Sequence, residues 1–130
     1  MTDGQKDLIR YRISRARETL DEARVLLESN MTHGSANRIY YACFYVVTAL
    51  LLSENFSSSR HNGVIALFNQ HFVKTDRVSA EWGKFYTRMF DNRIEGDYAE
   101  WVEFKKQDIQ QELSLAKEFI TIIVELIENT

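Results

Sequence analysis

Arg93 stands where a buried helical seam would carry an apolar residue. Trp82, Tyr86, Met89 and Arg93 follow one another at intervals of four, three and four, which puts them on one face of a helix. That face turns a guanidinium towards the interior, where an arginine needs an anionic partner. Two partners fit. The first is internal: Asp97 follows four residues on, within Asn92-Arg93-Ile94-Glu95-Gly96-Asp97-Tyr98, and an Arg93–Asp97 ion pair would fix the end of the helix. The second is a phosphate, whose oxygens match the guanidinium fork. On physics alone the ion pair comes first, because structural ion pairs are common. The phosphate reading makes Arg93 a substrate-binding residue, with Asp97 and Tyr98 beside it in the sequence.

The histidines give weaker signals. His33 falls in a turn and is expected to be exposed. His61 lies near the start of a short helix, close to its free backbone N–H groups. His71 lies near that helix's C-terminus, where the dipole favours a cation. None has a Ser or Cys at the local spacing of a nucleophile–base pair. Tyr40, Tyr41 and Tyr45 read as core or interface aromatics. Cys43, the single cysteine, sits among apolar residues and reads as a buried, reduced thiol. No His/Cys cluster has zinc spacing, and neither a metal nor a cofactor is expected.

These residues need helices to position them, and five can be read from periodicity. The first runs from about Gln5 to Glu28. Its seam is Ile9, Ile13, Ala16, Leu20, Ala23 and Leu27 at 4-3-4-3-4 spacing, and its arginines are mixed with acids as on a solvated face. After a turn at Asn30-Met31-Thr32-His33-Gly34-Ser35, the second helix runs from about Ser35 to Glu54 and is apolar nearly all round. It is therefore central to the bundle or shared with a second subunit. Asn55 to Ser59 supplies caps for a third helix, about Arg60 to Phe72, in which Gly63 points to close packing. Ser79 caps a fourth helix that Gly96 should terminate, and Gly96 to Phe104 is an irregular link. The fifth helix, about Lys106 to Glu128, carries two neighbouring apolar stripes, one through Ile109, Leu113, Ala116, Ile120, Ile123 and Ile127.

The expectation is one all-α domain over residues 1–130, an up-and-down bundle of four long helices plus one short one. Its 130 residues are enough for one core without disulfides. The absence of proline lets the helices run uninterrupted. A net charge of −3 argues against nucleic-acid binding by bulk electrostatics, so any such role must rest on a local site. The polar start, MTDGQKDLIR, has no apolar run of a signal peptide. The apolar stretch from Ile39 to Leu52 is 14 residues, short for a bilayer. A cytoplasmic protein with no membrane association is expected.

Three blocks of sequence resemble one family. Asn37-Arg38-Ile39-Tyr40-Tyr41-Ala42-Cys43-Phe44-Tyr45 resembles the second-helix signature of HEPN-domain proteins, in which a Tyr-Tyr-Ala run is typical. Arg60-His61-Asn62-Gly63-Val64 resembles the His-x-Gly-Val segment of a small stand-alone subfamily. Arg93 through Asp97-Tyr98 resembles its Arg-x-x-x-Asp-Tyr motif. The likeness extends from about Ala23 to Glu118, with the blocks in the right order. It implies a HEPN bundle, commonly a homodimer. Many HEPN proteins are RNases of toxin–antitoxin or defence systems, and others pair with a minimal nucleotidyltransferase.

Active HEPN RNases carry Arg-x(4–6)-His, and here Tyr98 takes the place of that histidine. A phenol with a pKa near ~10 is a poor general base at neutral pH. Tyr98 remains a hydrogen-bond donor, or a target for AMP transfer by the partner, and His61 could supply a base from another helix. The resemblance thus implies three readings. The first is a toxin-like or substrate-binding component acting with a nucleotidyltransferase-type antitoxin, holding a nucleotide or RNA phosphate at Arg93, Asp97 and Tyr98 in a dimer cleft. The second is a metal-independent endoribonuclease using Arg93 with Tyr98 or His61. The third is a non-catalytic dimeric interaction scaffold.

Overall fold

The computed structural model describes the backbone of residues 1–98 and 103–129, and the side chains of residues 1–93 and 103–129. Among the described residues there are only helices and turns: α1 (Asp3–Glu28), α2 (Thr32–Ser53), α3 (His61–Phe68), a π-helical turn (Asn69–Val73), α4 (Ala80–Tyr98) and α5 (Lys106–Glu128). They pack as one helical bundle around α2.

α1 begins two residues earlier than its apolar pattern, because Thr2 and Gln5 form a reciprocal cap. Thr2 Oγ1 accepts from the Gln5 N–H at 3.1 Å, and Gln5 Oε1 accepts from the Thr2 N–H at 2.9 Å. The seam is as spaced: Ile9, Ala16, Ala23 and Leu27 are buried, and Ile13 and Leu20 pack against them half-buried. Ala16 and Ala23 bring α1 close to α2. The charged face pairs with itself through Arg10–Asp7, Arg15–Glu18 and Arg24–Glu28.

α2 starts at Thr32, three residues before the expected Ser35. Asn30 takes the left-handed conformation (φ 61°) that Asn tolerates, and this makes the turn earlier. Ser35 lies inside the helix, fully buried, and donates its hydroxyl hydrogen to the Ala23 carbonyl at 2.8 Å. By length and composition α2 is apolar enough to cross a membrane, but most of it is buried inside the bundle. α1, α3, α4 and α5 all pack on it. Contacts within the single chain cover most of α2, and Tyr41, Phe44, Tyr45, Thr48 and Leu52 stay half-buried along one side of it. Each fully buried Ile, Val or Leu on it contributes roughly 1.5–3 kcal/mol.

The expected third helix divides. α3 ends at Phe68, and the Lys74 N–H then bonds the Asn69 carbonyl at 2.9 Å, one residue wider than α-helical pairing. The wider turn keeps Val64, Phe68 and Phe72, four apart each time, on the buried side. The cap of α3 is Arg60, without a side-chain bond, rather than one of Asn55 to Ser59. Ser58 instead closes the preceding turn, its Oγ accepting from the Arg60 N–H at 3.2 Å.

Ser79 caps α4, with Oγ 3.4 Å from the Trp82 nitrogen. α4 passes through Gly96 to Tyr98, so Gly96 does not terminate it. A glycine stops a helix by turning left-handed, and no described glycine has a positive φ. α5 has the expected bounds, and Ile109, Ala116, Phe119, Ile120 and Ile123 are buried.

Candidate functional site

Tyr86 and Met89 are buried on the face of α4 that meets α2, and Arg93 continues that face one turn further on. Its guanidinium carbon lies 5.7 Å from the ring centre of Tyr40 and 5.8 Å from that of Tyr41. Two π faces thus receive the cation where the apolar seam runs out, each such contact contributing on the order of 0.5–2 kcal/mol. The side chains of Asp97 and Tyr98 lie outside the described residues, as does any Arg93–Asp97 pair.

The same tyrosines bring His61 to Arg93. Tyr40 is fully buried, and its hydroxyl lies 2.5 Å from His61 Nδ1. The imidazole stacks on Phe44 (4.3 Å, 18°) and meets Tyr41 edge-on (5.8 Å, 89°). Burial and then the charge of Arg93 hold His61 below its ordinary pKa, which favours the neutral ring. Burial pushes the Tyr40 phenol well up, so it stays protonated as a hydrogen-bonding partner. Tyr40 thereby fixes the ring at Nδ1 and leaves Nε2 for other chemistry. Tyr86, buried and also pushed up by burial, stacks on Tyr40 from below.

On its other side Arg93 borders a cleft of about 260 Å³, lined also by His33, Gly34, Asn37, Asn92 and Phe104. It lies between the first turns of α2 and the end of α4. The start of α2 has no acidic residue and no side-chain cap, so its dipole favours an anion beside Arg93. His33 is exposed as expected, within the first helical turn, edge-on to Phe104 at 5.0 Å. Asn92 Nδ2 donates to Glu112 Oε1 at 3.1 Å, and burial pushes the Glu112 carboxyl up. Asn37 Oδ1 accepts from Arg38 Nε and Nη2 at 3.2 and 2.8 Å.

The structure therefore joins two of the residues singled out from sequence, Arg93 and His61. His71 stacks on Phe56 (4.0 Å, 13°) and serves packing there. Cys43 is fully buried, and burial pushes its thiol well up. Sequence reasoning left Tyr40 in the core, named Asn92 only within the polar run that ends at Tyr98, and gave Asn37 no role of its own. The signal for Tyr40 was available: a tyrosine inside an apolar helix needs a partner for its hydroxyl.

Comparison with known proteins agrees with these elements. A family model described as HEPN domain matches residues 9–127. A "UPF0332 protein" of Thermotoga maritima is 48% identical over 129 residues, covering 99% of this chain and 97% of that one. The "UPF0332 protein glr0978" of Gloeobacter violaceus is 34% identical over 128 residues, 98% of each chain. A protein of Methanocaldococcus jannaschii named "Putative toxin MJ0142" is 31% identical over 98 residues, 75% of this chain and 67% of that one.

Proposed function

We propose that this chain, which belongs to the HEPN-domain family, is a toxin-like member that holds a phosphate of RNA or nucleotide at Arg93. The observation that carries the reading is the placement of Arg93. Its guanidinium rests on Tyr40 and Tyr41 at the rim of a cleft bordered by the start of α2. Guanidinium and helix terminus together favour a phosphate. The likeness to the Methanocaldococcus jannaschii protein named "Putative toxin MJ0142" supports the toxin-like assignment. In this reading the chain acts in the cytoplasm as a homodimer, paired with a minimal nucleotidyltransferase as antitoxin. The cleft is shared between the two copies, and Asp97 and Tyr98 complete the site.

The test is thermal stability of the purified protein with nucleotide and with mixed RNA. The melting temperature should rise, and Arg93→Ala should abolish the rise. An unchanged melting temperature across the ligands would sink the proposal. If Arg93→Ala lowered only basal stability, Arg93 would be structural and the protein an interaction scaffold.

One observation favours a second reading, a metal-independent endoribonuclease. His61 is held towards its neutral form beside Arg93, with Tyr40 fixing Nδ1. With the Nδ1–H donating to the Tyr40 oxygen, Nε2 would accept the proton of an RNA 2′-hydroxyl as its oxygen attacks the adjacent phosphorus. The bond from phosphorus to the 5′-oxygen would break, leaving a 2′,3′-cyclic phosphate, and the 5′-oxygen would take a proton from the imidazolium or from water. Arg93 would stabilise the charge that develops on the phosphate oxygens. RNA cleavage in the presence of a chelator, lost in both Arg93→Ala and His61→Ala, supports this reading. No cleavage by the folded protein at high concentration refutes it.

A further inference from the structure

The geometry points to the cleft beside Arg93 as a pocket for a single nucleobase, whose hydrogen-bonding edge is read by Asn37 and Asn92. The inference rests on the phosphate reading of Arg93 and adds what lies next to that phosphate.

Three observations carry it. The first is size and shape. At about 260 Å³ the cleft is smaller than the ~300–1,000 Å³ of sites for drug-sized ligands, and it suits one flat ring system. The second is the wall. His33 and Phe104 meet edge-on at 5.0 Å beside the opening and supply aromatic surface, the usual support for an unstacked base.

The third is the state of the two amides. The Asn37 carbonyl oxygen is engaged twice by Arg38, so the group Asn37 can offer a ligand is its NH₂. Asn92 gives an N–H to Glu112 and keeps its carbonyl oxygen for a ligand. Arg93 thus shares the cleft with one amide that keeps a donor and one that keeps an acceptor. The Watson–Crick edge of every nucleobase combines donors with acceptors, whereas a fully ionised phosphate has no hydrogen to give an amide carbonyl.

Arg93 borders both this cleft and the His61 pair. A nucleotide with its phosphate on the guanidinium would place its base in the cleft and its reacting oxygen on the side of His61. The Asn37–Arg38 and Asn92–Glu112 contacts hold the amides in these orientations before a ligand arrives, so the pocket is preorganised.

The experiment compares the four ribonucleoside 5′-monophosphates with ribose 5-phosphate, on full-length protein, by NMR titration of the side-chain NH₂ signals of Asn37 and Asn92. At least one monophosphate should bind about fivefold or more tightly than ribose 5-phosphate, the factor that corresponds to the lower end of base stacking on an aromatic surface. The two NH₂ signals should move with the monophosphate and not with ribose 5-phosphate. In Phe104→Leu the affinity ratio of monophosphate to ribose 5-phosphate should fall towards one. If Phe104→Leu does not fold, the wild-type ratio and the NH₂ signals decide the matter.

Equal binding of monophosphates and ribose 5-phosphate, lost in Arg93→Ala, would overturn the base pocket and leave the phosphate site standing. Binding of neither would overturn both.

Discussion

Replacing Gly63 with alanine tests how the His-x-Gly-Val segment seats the site. A Cβ built on Gly63 would lie 2.8 Å from Ser58 Cβ and closer still to Ser58 Oγ. Rotating the serine cannot relieve the first contact, since Cβ is fixed to the backbone. It would also break the turn in which Ser58 Oγ bonds both the N–H and the carbonyl of Arg60. Two terms oppose each other. Ala gains ~1 kcal/mol over Gly in a helix interior. Forcing an extra carbon into a filled space costs ~1–3 kcal/mol. The net loss is therefore ~0–2 kcal/mol, a fall in melting temperature of up to roughly 10 °C for a domain of this size.

The assay is a double-mutant cycle in urea with Gly63→Ala, Ser58→Gly and the pair. Gly63→Ala should destabilise the wild-type background. In the Ser58→Gly background, where no Cβ stands in the way, the same change should stabilise by ~1 kcal/mol. His61 lies two residues before Gly63, so its ring signals should shift in the single variant and return in the pair. A stabilising effect of equal size in both backgrounds would refute the reasoning, because Gly63 would then be dispensable for the approach of α3 to the turn.

Further predictions concern the polar groups. Tyr40→Phe should cost ~1–2 kcal/mol in urea unfolding, since it deletes the hydroxyl bonded to His61 Nδ1 and nearly preserves volume; a neutral result would mean that the bond contributes nothing. Arg93→Gln should raise the titration midpoint of His61 followed by NMR, and inorganic phosphate should do the same to the wild type; a midpoint that stays put in both would separate the two residues. His61 is held below its ordinary value of about 6.5, so the unfolded chain takes up the proton first. Its contribution to stability is intact above that value and lost as pH falls through the lower folded one, and His61→Gln should flatten this part of the acid limb. Glu112 has the opposite sign: its carboxyl is pushed up, so the charged form costs stability at neutral pH. Glu112→Gln should raise the melting temperature at pH 7, and the gain should shrink as pH falls through the raised folded pKa; a lower melting temperature at pH 7 would contradict this.

The seams of α1 and α5 were legible almost residue by residue, because each has an apolar stripe facing inward opposite a charged face. What the pattern could not show was set by tertiary bonds and local slips. Ser35 looks like a cap, but the Ala23 carbonyl claims its hydroxyl from another helix. The wide pairing at Asn69–Val73 leaves the inward residues four apart, as an α-helix would. Gly96 looks like a stop, yet α4 continues beyond it.

In the site, Arg93 was legible because a cation interrupts an apolar face. The Tyr40–His61 bond was not, since its partners are 21 residues apart and neither breaks the local pattern. Asn37 and Asn92 come together only because the start of α2 packs beside the end of α4.

Cys43 has a use that its burial creates. It is the chain's one thiol, it sits midway along α2 with none of its surface exposed, and burial keeps it protonated. An alkylating reagent can reach it only when α2 comes away from α1, α4 and α5. The rate of labelling in native buffer therefore reads whichever opening, local or global, first uncovers this point of α2, without any engineered probe. Where reclosing outruns labelling, the ratio of that rate to the rate for the unfolded chain gives the opening equilibrium directly.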